Sequence, residues 1–195
     1  MHLVVGLGNP GEQYRVTRHN IGFAVVTRLW QDSPHPRSFE MESLGLLTRI
    51  RIGDHDVLLL KPQTFMNRSG RSVSDTASKH GIAIEDILVV HDDLDHPLGV
   101  VRIKRGGGSG GHRGLESCFE ELGTTDLVRV RVGIGRPGPG SAPSDYVLDR
   151  FDEAELGLID GVVGLAADAV VETLRLGADR AMNHFNRRPI SGDAP

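Results

Sequence analysis

Asn9 and His19 are the first residues of the chain whose types and spacing could do hydrolytic chemistry. Asn9 sits in the turn Gly8-Asn9-Pro10-Gly11, just past the apolar run Leu3–Leu7, and His19 stands where a helical pattern opens. An amide can donate to a carbonyl oxygen, and a neutral imidazole can take a proton from water. The positive end of a helix disfavours a second positive charge, so an imidazole there stays able to accept a proton. The plainer alternative is a polar residue lining the first helical turn, and taken alone His19 fits that better.

A carboxylate is the natural third member. His91-Asp92-Asp93-Leu94-Asp95 follows directly on the apolar strand Ile87–Val90. Acids at the C-terminal end of a buried strand line the functional rim of an α/β sheet. Asp92 is nearest the strand, and a hydrogen bond to His19 would fix its tautomer and stabilise the imidazolium. The alternative is a turn of solvated carboxylates. Three acids in four residues also suit Mg²⁺, but no phosphate-binding motif accompanies them and no His pair has metal-ligand spacing. No metal or cofactor is expected.

Lys61-Pro62-Gln63-Thr64-Phe65-Met66-Asn67-Arg68-Ser69-Gly70 also follows a strand. Asn67 either caps the next helix or offers its amide to a substrate, with Phe65 and Met66 as core or as an apolar wall beside it. No Ser, Cys or Thr stands in a nucleophile elbow. Direct attack by water with a histidine base suits an activated ester better than an amide.

Two glycine motifs compete for the same segments. Gly6, Gly8 and Gly11 match G-x-G-x-x-G, and Asp32 lies near the offset of a ribose-binding acid. That fingerprint needs a helix opening inside the glycine turn, its amides facing a pyrophosphate. Pro10 removes one amide, the helical pattern starts only at His19, and Asp32 ends a helix instead of a strand. Lys104-Arg105 before Gly106–Gly111 resembles a phosphate loop only in reverse, since the P-loop lysine follows its glycines. A mobile, basic, glycine-rich lid is expected there.

The elements that must position these residues follow from periodicity. Leu3–Leu7, Val57–Leu60, Ile87–Val90 and Val128–Ile134 read as buried strands, and Leu44–Ile52 and Gly99–Lys104 as half-buried ones. Helices are expected at His19–Gln31, Asn67–His80, Gly114–Leu122, Glu153–Leu176 and Gly177–Phe185, with Gly81 and Gly123 as stops. Gly135–Ser144, with three prolines, reads as a long loop. Interleaved strands and helices imply a single-domain α/β three-layer sandwich over residues 1–190, with a twisted, mixed, mostly parallel central sheet flanked by helices. Leu44–Leu60, broken at Gly53-Asp54, is the hairpin that makes the sheet mixed. Residues 191–195 read as a flexible tail.

Composition sets the outer bounds. The chain has 195 residues, one cysteine and a formal net charge of −4. Cys118 alone excludes an internal disulfide and a cysteine metal cluster. No signal peptide precedes Leu3 and no apolar run approaches membrane-spanning length, so a soluble cytoplasmic protein with no membrane contact is expected. The net charge argues against a general nucleic-acid binder. However, Arg102, Lys104, Arg105 and Arg113 lie in a segment without acids, and Arg129, Arg131, Arg136, Arg187 and Arg188 follow. A local basic face fits a partner touched at a few phosphates; a solvated surface fits equally well.

Taken together, the motifs resemble the bacterial peptidyl-tRNA hydrolase family. The likeness runs through Val5–Gly11 with Tyr14, Thr17–Phe23, Lys61–Gly70, His91–Asp95, Gly106–Leu115 and Arg131–Pro137, in one order, and weakens after about Ser141. It implies a monomeric, cofactor-free, phosphorylase/hydrolase-like α/β enzyme. Such an enzyme cleaves the ester between a peptide and the 3′ ribose of tRNA, contacting the acceptor stem and 3′ end. By motif position His19 matches the family's base, Asp92 its partner, and Asn9 and Asn67 the amides that hold the ester. Tyr14, Phe65 and Met66 match the peptide cleft, and Lys104 and Arg131 the tRNA phosphate contacts.

The family usually has an asparagine after Gly110-Gly111-His112, where this chain has Arg113. A guanidinium there would oppose protonation of His19, pair with Asp92 and draw it away, or hold the terminal tRNA phosphate. The departure leaves a second reading, a non-catalytic RNA-binding relative such as the plant organelle splicing factors of similar sequence. The retention of Asn9, His19, Asn67 and Asp92 together argues for catalysis.

Overall fold

Leu3, Val4 and Val5 are all fully buried, as expected of a strand without alternation that is covered on both faces. In the computed structural model, which describes residues 1–187, they form β1 (His2–Gly6) at the centre of a seven-stranded sheet. The other strands are β2 (Glu40–Glu42), β3 (Gly45–Ile52), β4 (His55–Pro62), β5 (Ile87–Asp93), β6 (Val101–Arg105) and β7 (Val128–Gly133), in the order β2-β3-β4-β1-β5-β7-β6. Pairings β4–β1, β1–β5 and β5–β7 are parallel, and β2–β3, β3–β4 and β6–β7 are antiparallel. Only β3 and β6 therefore oppose the common direction. The β3–β4 hairpin turns at Gly53-Asp54, with Ile52 opposite His55.

Two helical layers close the sandwich. α1 (Ile21–Gln31), α5 (Glu153–Leu176) and α6 (Ala178–Phe185) cover Val4, Leu59, Leu88, Val90 and Val130. α2 (Ser69–His80) and α3 (Arg113–Leu122) cover Leu3, Val5, Leu58, Leu60 and Val89. Gly81 and Gly123 end α2 and α3 in the left-handed conformation, as a helix stop needs.

Several boundaries differ from the sequence reading, each for a local reason. β5 runs through Asp93 instead of stopping at Val90, because Asp92 and Asp93 pair with Val132 and Gly133 of β7 and both are buried. His19 lies in a 3₁₀ turn, Arg18–Asn20, that leads into α1. Asn67 lies in a second 3₁₀ turn, Met66–Arg68, and does not cap α2, whose N-cap is Arg68. The stretch expected as loop Gly135–Ser144 ends by opening a short helix α4 (Pro143–Leu148), with proline in its first turn where a missing N–H costs nothing. The edge strand β2 is only three residues long, too short for its alternation to stand out. The expected tail, 191–195, lies outside the described residues.

The fold places His19 by backbone contact. A Cβ on Gly6 would collide with the carbonyl of Gly22, and one on Gly22 would lie 2.5 Å from the Leu7 carbonyl oxygen. Glycine at both positions lets the start of α1 press directly on the end of β1. This is the use of Gly6 that the dinucleotide reading competed for, and no helix opens within the Gly8–Gly11 turn.

Candidate active site

Asn9, Tyr14, His19, Phe65, Met66, Asn67, Asp92, Lys104, Arg113 and Arg131, drawn from six separate stretches of sequence, all line one cleft of about 760 Å³ at the C-terminal ends of β1, β5 and β7. The glycine-rich segment Gly108–Gly111 and the helix α4 form its other walls.

At its floor, His19 Nδ1 lies 2.8 Å from Asp92 Oδ1. A second imidazole reaches the same oxygen, with His112 Nε2 at 2.9 Å. His112 came into the sequence reading only as a landmark before Arg113; its signal, a histidine just ahead of a helical pattern, was readable there. Burial alone would raise the Asp92 carboxyl. The attraction of His19 and His112, with the hydrogen bonds from both, outweighs it and holds the group well below the usual carboxylate range. Asp92 is therefore an ionised acceptor. His19 must then donate Nδ1–H to it, which leaves the Nε2 lone pair on the cleft side without a partner among the described residues.

His91 is the third imidazole of the group. Its Nδ1 donates to the Asp92 carbonyl at 2.7 Å, so the neutral ring carries its lone pair on Nε2, buried and unpartnered. Burial pushes its protonation well below the ordinary imidazole range. An unpaired buried acceptor costs about 1–3 kcal/mol. Of the three rings, only His19 has its free lone pair at the open cleft.

Asn9 is fixed from two sides. Its Oδ1 accepts the Met66 N–H at 2.8 Å. Asn20 clamps its backbone, accepting from Asn9 N–H at 2.9 Å and donating Nδ2 to the Asn9 carbonyl at 2.9 Å. With Oδ1 occupied, the Asn9 amide can turn only its Nδ2 donor to a ligand. Asn67 is exposed on the cleft wall, as is Phe65, whereas Met66 is buried beneath them.

The cationic side divides differently from the expectation. Arg131 Nε is bonded to Asp93 Oδ2, and its Nη2 lies 3.7 Å from Asp95. Asp95 is also held by Arg136 at 2.5 Å, which lowers its carboxyl. Arg129 is buried under the glycine-rich segment and donates to the carbonyls of Gly106 and Gly108. Lys104 and Arg113 are exposed, and neither has an ion pair or hydrogen bond among the described residues. Of the roles open to Arg113, pairing with Asp92 is not seen among the described residues, where His19 and His112 reach that carboxylate instead.

His19 is also tied to the far layer through its neighbour. Arg18 donates to the Arg150 carbonyl at 2.6 Å and to Glu155 Oε2 at 2.5 Å. Its guanidinium lies 4.2 Å from the centroid of the Tyr146 ring. Glu155 is the N3 member of the capping box that starts α5.

His19, Asp92 and His112 bring three ligand atoms within 4.8 Å of one another, which invites the question of a metal. His112 Nδ1 accepts from the N–H groups of Gly114 and Leu115, so its proton is on Nε2, the atom a metal would need. Metal ligation there would uncap α3. Cys118 is equally unsuited to nucleophilic work, since burial pushes its thiol up to about 12.

Comparison with known proteins agrees with this geometry. The sequence pattern of the family described as Peptidyl-tRNA hydrolase matches residues 3–192. The peptidyl-tRNA hydrolase of Moorella thermoacetica is 49% identical over 189 residues, spanning 94% of this chain and 97% of its own. That of Syntrophotalea carbinolica is 44% identical over 191 residues, spanning 96% and 98%. The crystal structure of peptidyl-tRNA hydrolase from Acinetobacter baumannii superposes with a TM-score of 0.87 at 40% identity, covering 96% of this chain and 95% of that one. The chain belongs to the peptidyl-tRNA hydrolase family.

Proposed function

We propose that the protein hydrolyses the ester joining a peptide to the 3′ ribose of tRNA, by water that His19 activates. The observation that carries this reading is the buried Asp92–His19 pair, with the free Nε2 lone pair of His19 facing the cleft. His19 Nε2 takes a proton from water as its oxygen attacks the ester carbonyl, and Asp92 stabilises the imidazolium that results. The amides of Asn9 and Asn67 donate to the carbonyl oxygen as it gains negative charge. The tetrahedral intermediate then collapses, the ribose oxygen leaves, and His19 returns the proton to it. The products are a peptide acid, which loses its proton to solvent as the carboxylate, and a tRNA with its terminal hydroxyl restored.

The peptide lies along Tyr14, Phe65 and Met66, and Val147 and Leu148 of α4 extend that apolar wall. Lys104 and Arg113, the cleft cations without an internal carboxylate, meet phosphates of the acceptor stem and 3′ end. Arg131 acts through the Asp93–Asp95 network, which neutralises much of its charge. The scheme calls for no group from a second copy, and the protein is taken to act as a monomer, as the family resemblance implies.

The test is release of N-acetyl-aminoacyl groups from tRNA by purified protein. Turnover that disappears in His19→Ala, with tRNA binding retained, is the expected result. Tight tRNA binding by the unaltered protein without turnover would instead establish an RNA-binding relative.

A further inference from the structure

We infer that His112 is a positioning residue of the hydrolytic site, an imidazole locked by a helix terminus into donating to Asp92, so that His19 alone of the pair can take the substrate proton. The inference rests on the hydrolase reading and adds to it a second histidine whose role is the reverse of the first.

The lock is visible in the bonds of one ring. His112 is the N-cap of α3, and its Nδ1 accepts from Gly114 N–H at 3.2 Å and Leu115 N–H at 3.3 Å. Those amides are among the orphan donors of a helix start, and they can only donate. Nδ1 must therefore carry a lone pair, and the neutral ring must hold its proton on Nε2. Nε2 faces Asp92 Oδ1 at 2.9 Å. Protonating Nδ1 would set an N–H against two N–H groups and strip the cap, so the helix holds this imidazole neutral.

His19 differs in the one feature that matters. Its ring lies 4.9 Å from that of His112, and both contact the same carboxylate oxygen. Among the described residues nothing hydrogen-bonds the second nitrogen of His19. Two imidazoles sharing one acceptor would otherwise compete for its charge. The cap settles the competition, because the His112 proton is fixed and only the other ring can become a cation.

The other titratable and charged groups around Asp92 are few. His91 and Asp93 belong to its own strand; in β7 Arg131 is the register partner of His91, and the charge of Arg129 also reaches that ring. Arg113, although adjacent in sequence to His112, pairs with neither Asp92 nor His19.

His112 also withdraws charge from Asp92. Without its donated bond, the carboxylate hydrogen-bonds His19 alone and pulls harder on the proton at its Nδ1. The imidazolium then persists to higher pH, and the base is available over a narrower range.

The experiment compares the unaltered enzyme with His112→Ser, which keeps a side-chain oxygen for the helix amides and removes the donor to Asp92. Steady-state hydrolysis of N-acetyl-aminoacyl-tRNA is followed across pH, with melting temperature recorded alongside. The expected result is a kcat lowered roughly tenfold to a hundredfold, KM within about twofold, and the acidic limb of the profile moved to higher pH. An unmoved limb, or a rate loss that merely follows a fallen melting temperature, would overturn the assignment and leave His112 as a cap. In parallel, ¹⁵N NMR of the unaltered protein should show His112 as the Nε2–H tautomer through the pH range in which His19 titrates; an Nδ1–H signal would overturn the inference without reference to turnover. An unaltered enzyme with this tautomer but no esterase activity would sink the hydrolase reading and the positioning role with it.

Discussion

Asp92 and Asp93 are neighbours at the end of β5, both buried, yet they are satisfied by opposite chemistry. Asp92 accepts from two imidazoles, His19 and His112. Asp93 accepts from the guanidinium of Arg131, and the next acid, Asp95, is shared between Arg131 and Arg136. Alternation along a strand sends the two side chains to opposite faces. One face thus acquires a carboxylate bonded to imidazoles, which can carry or release a proton, and the other an ion-pair network built on permanently charged guanidinium. An arginine partner holds a carboxylate in place at any working pH; an imidazole partner lets the same carboxylate govern a proton transfer.

Removing the imidazole should have the largest effect. His19→Ala is expected to lower kcat by roughly a thousandfold or more while leaving the circular-dichroism spectrum and tRNA affinity intact. Activity within tenfold of the unaltered protein would remove His19 as base. Asp92→Asn should lower kcat on the order of a hundredfold. The sign of its pH effect is fixed: without the carboxylate the imidazolium loses its stabiliser, the base frees its proton at lower pH, and the acidic limb moves down. That is opposite to the shift expected for His112→Ser, and a shared direction would show that the two residues do not act on one proton.

The cationic half gives smaller effects. Lys104→Ala should weaken tRNA binding about tenfold and reduce the slope of log affinity against log salt by about one; an unchanged slope would put Lys104 off the phosphate path. Arg113→Asn should be the mildest, raising KM about twofold to threefold with kcat within about threefold. A large loss of kcat would mean that Arg113 does act on the Asp92 group, against its lack of any contact there.

Much of this division was readable from sequence, and the unread parts share a cause. The apolar runs and glycine stops gave the central strands and the ends of α2 and α3, because those signals are local. His19, Asp92 and Asn9 were readable as a set since each follows or opens a strongly patterned element. What stayed hidden depended on partners far along the chain. Asp92 and Asp93 look like a turn until β7 supplies their backbone partners. Arg131 looks like a free cation until Asp93 and Asp95 are seen against it. His112 looks like a spacer until Asp92, twenty residues back, is seen against its Nε2. Composition likewise suggested a basic face, but side-chain pairing leaves few of its cations free: Arg105, for example, is held by Asp126 at 3.0 Å.

The bond from Arg18 to Arg150 and Glu155 carries a consequence in time. Two groups that fasten the turn of His19 lie about 130 residues further along the chain and are made that much later. At about 5–20 residues per second that interval is roughly ten seconds. Throughout it the nascent protein is itself a peptidyl-tRNA, joined by the very bond it goes on to cleave. His19 is thus seated first by Gly6, Gly22 and Asp92, and its turn is fastened to the far layer only when Arg150 and Glu155 have been added.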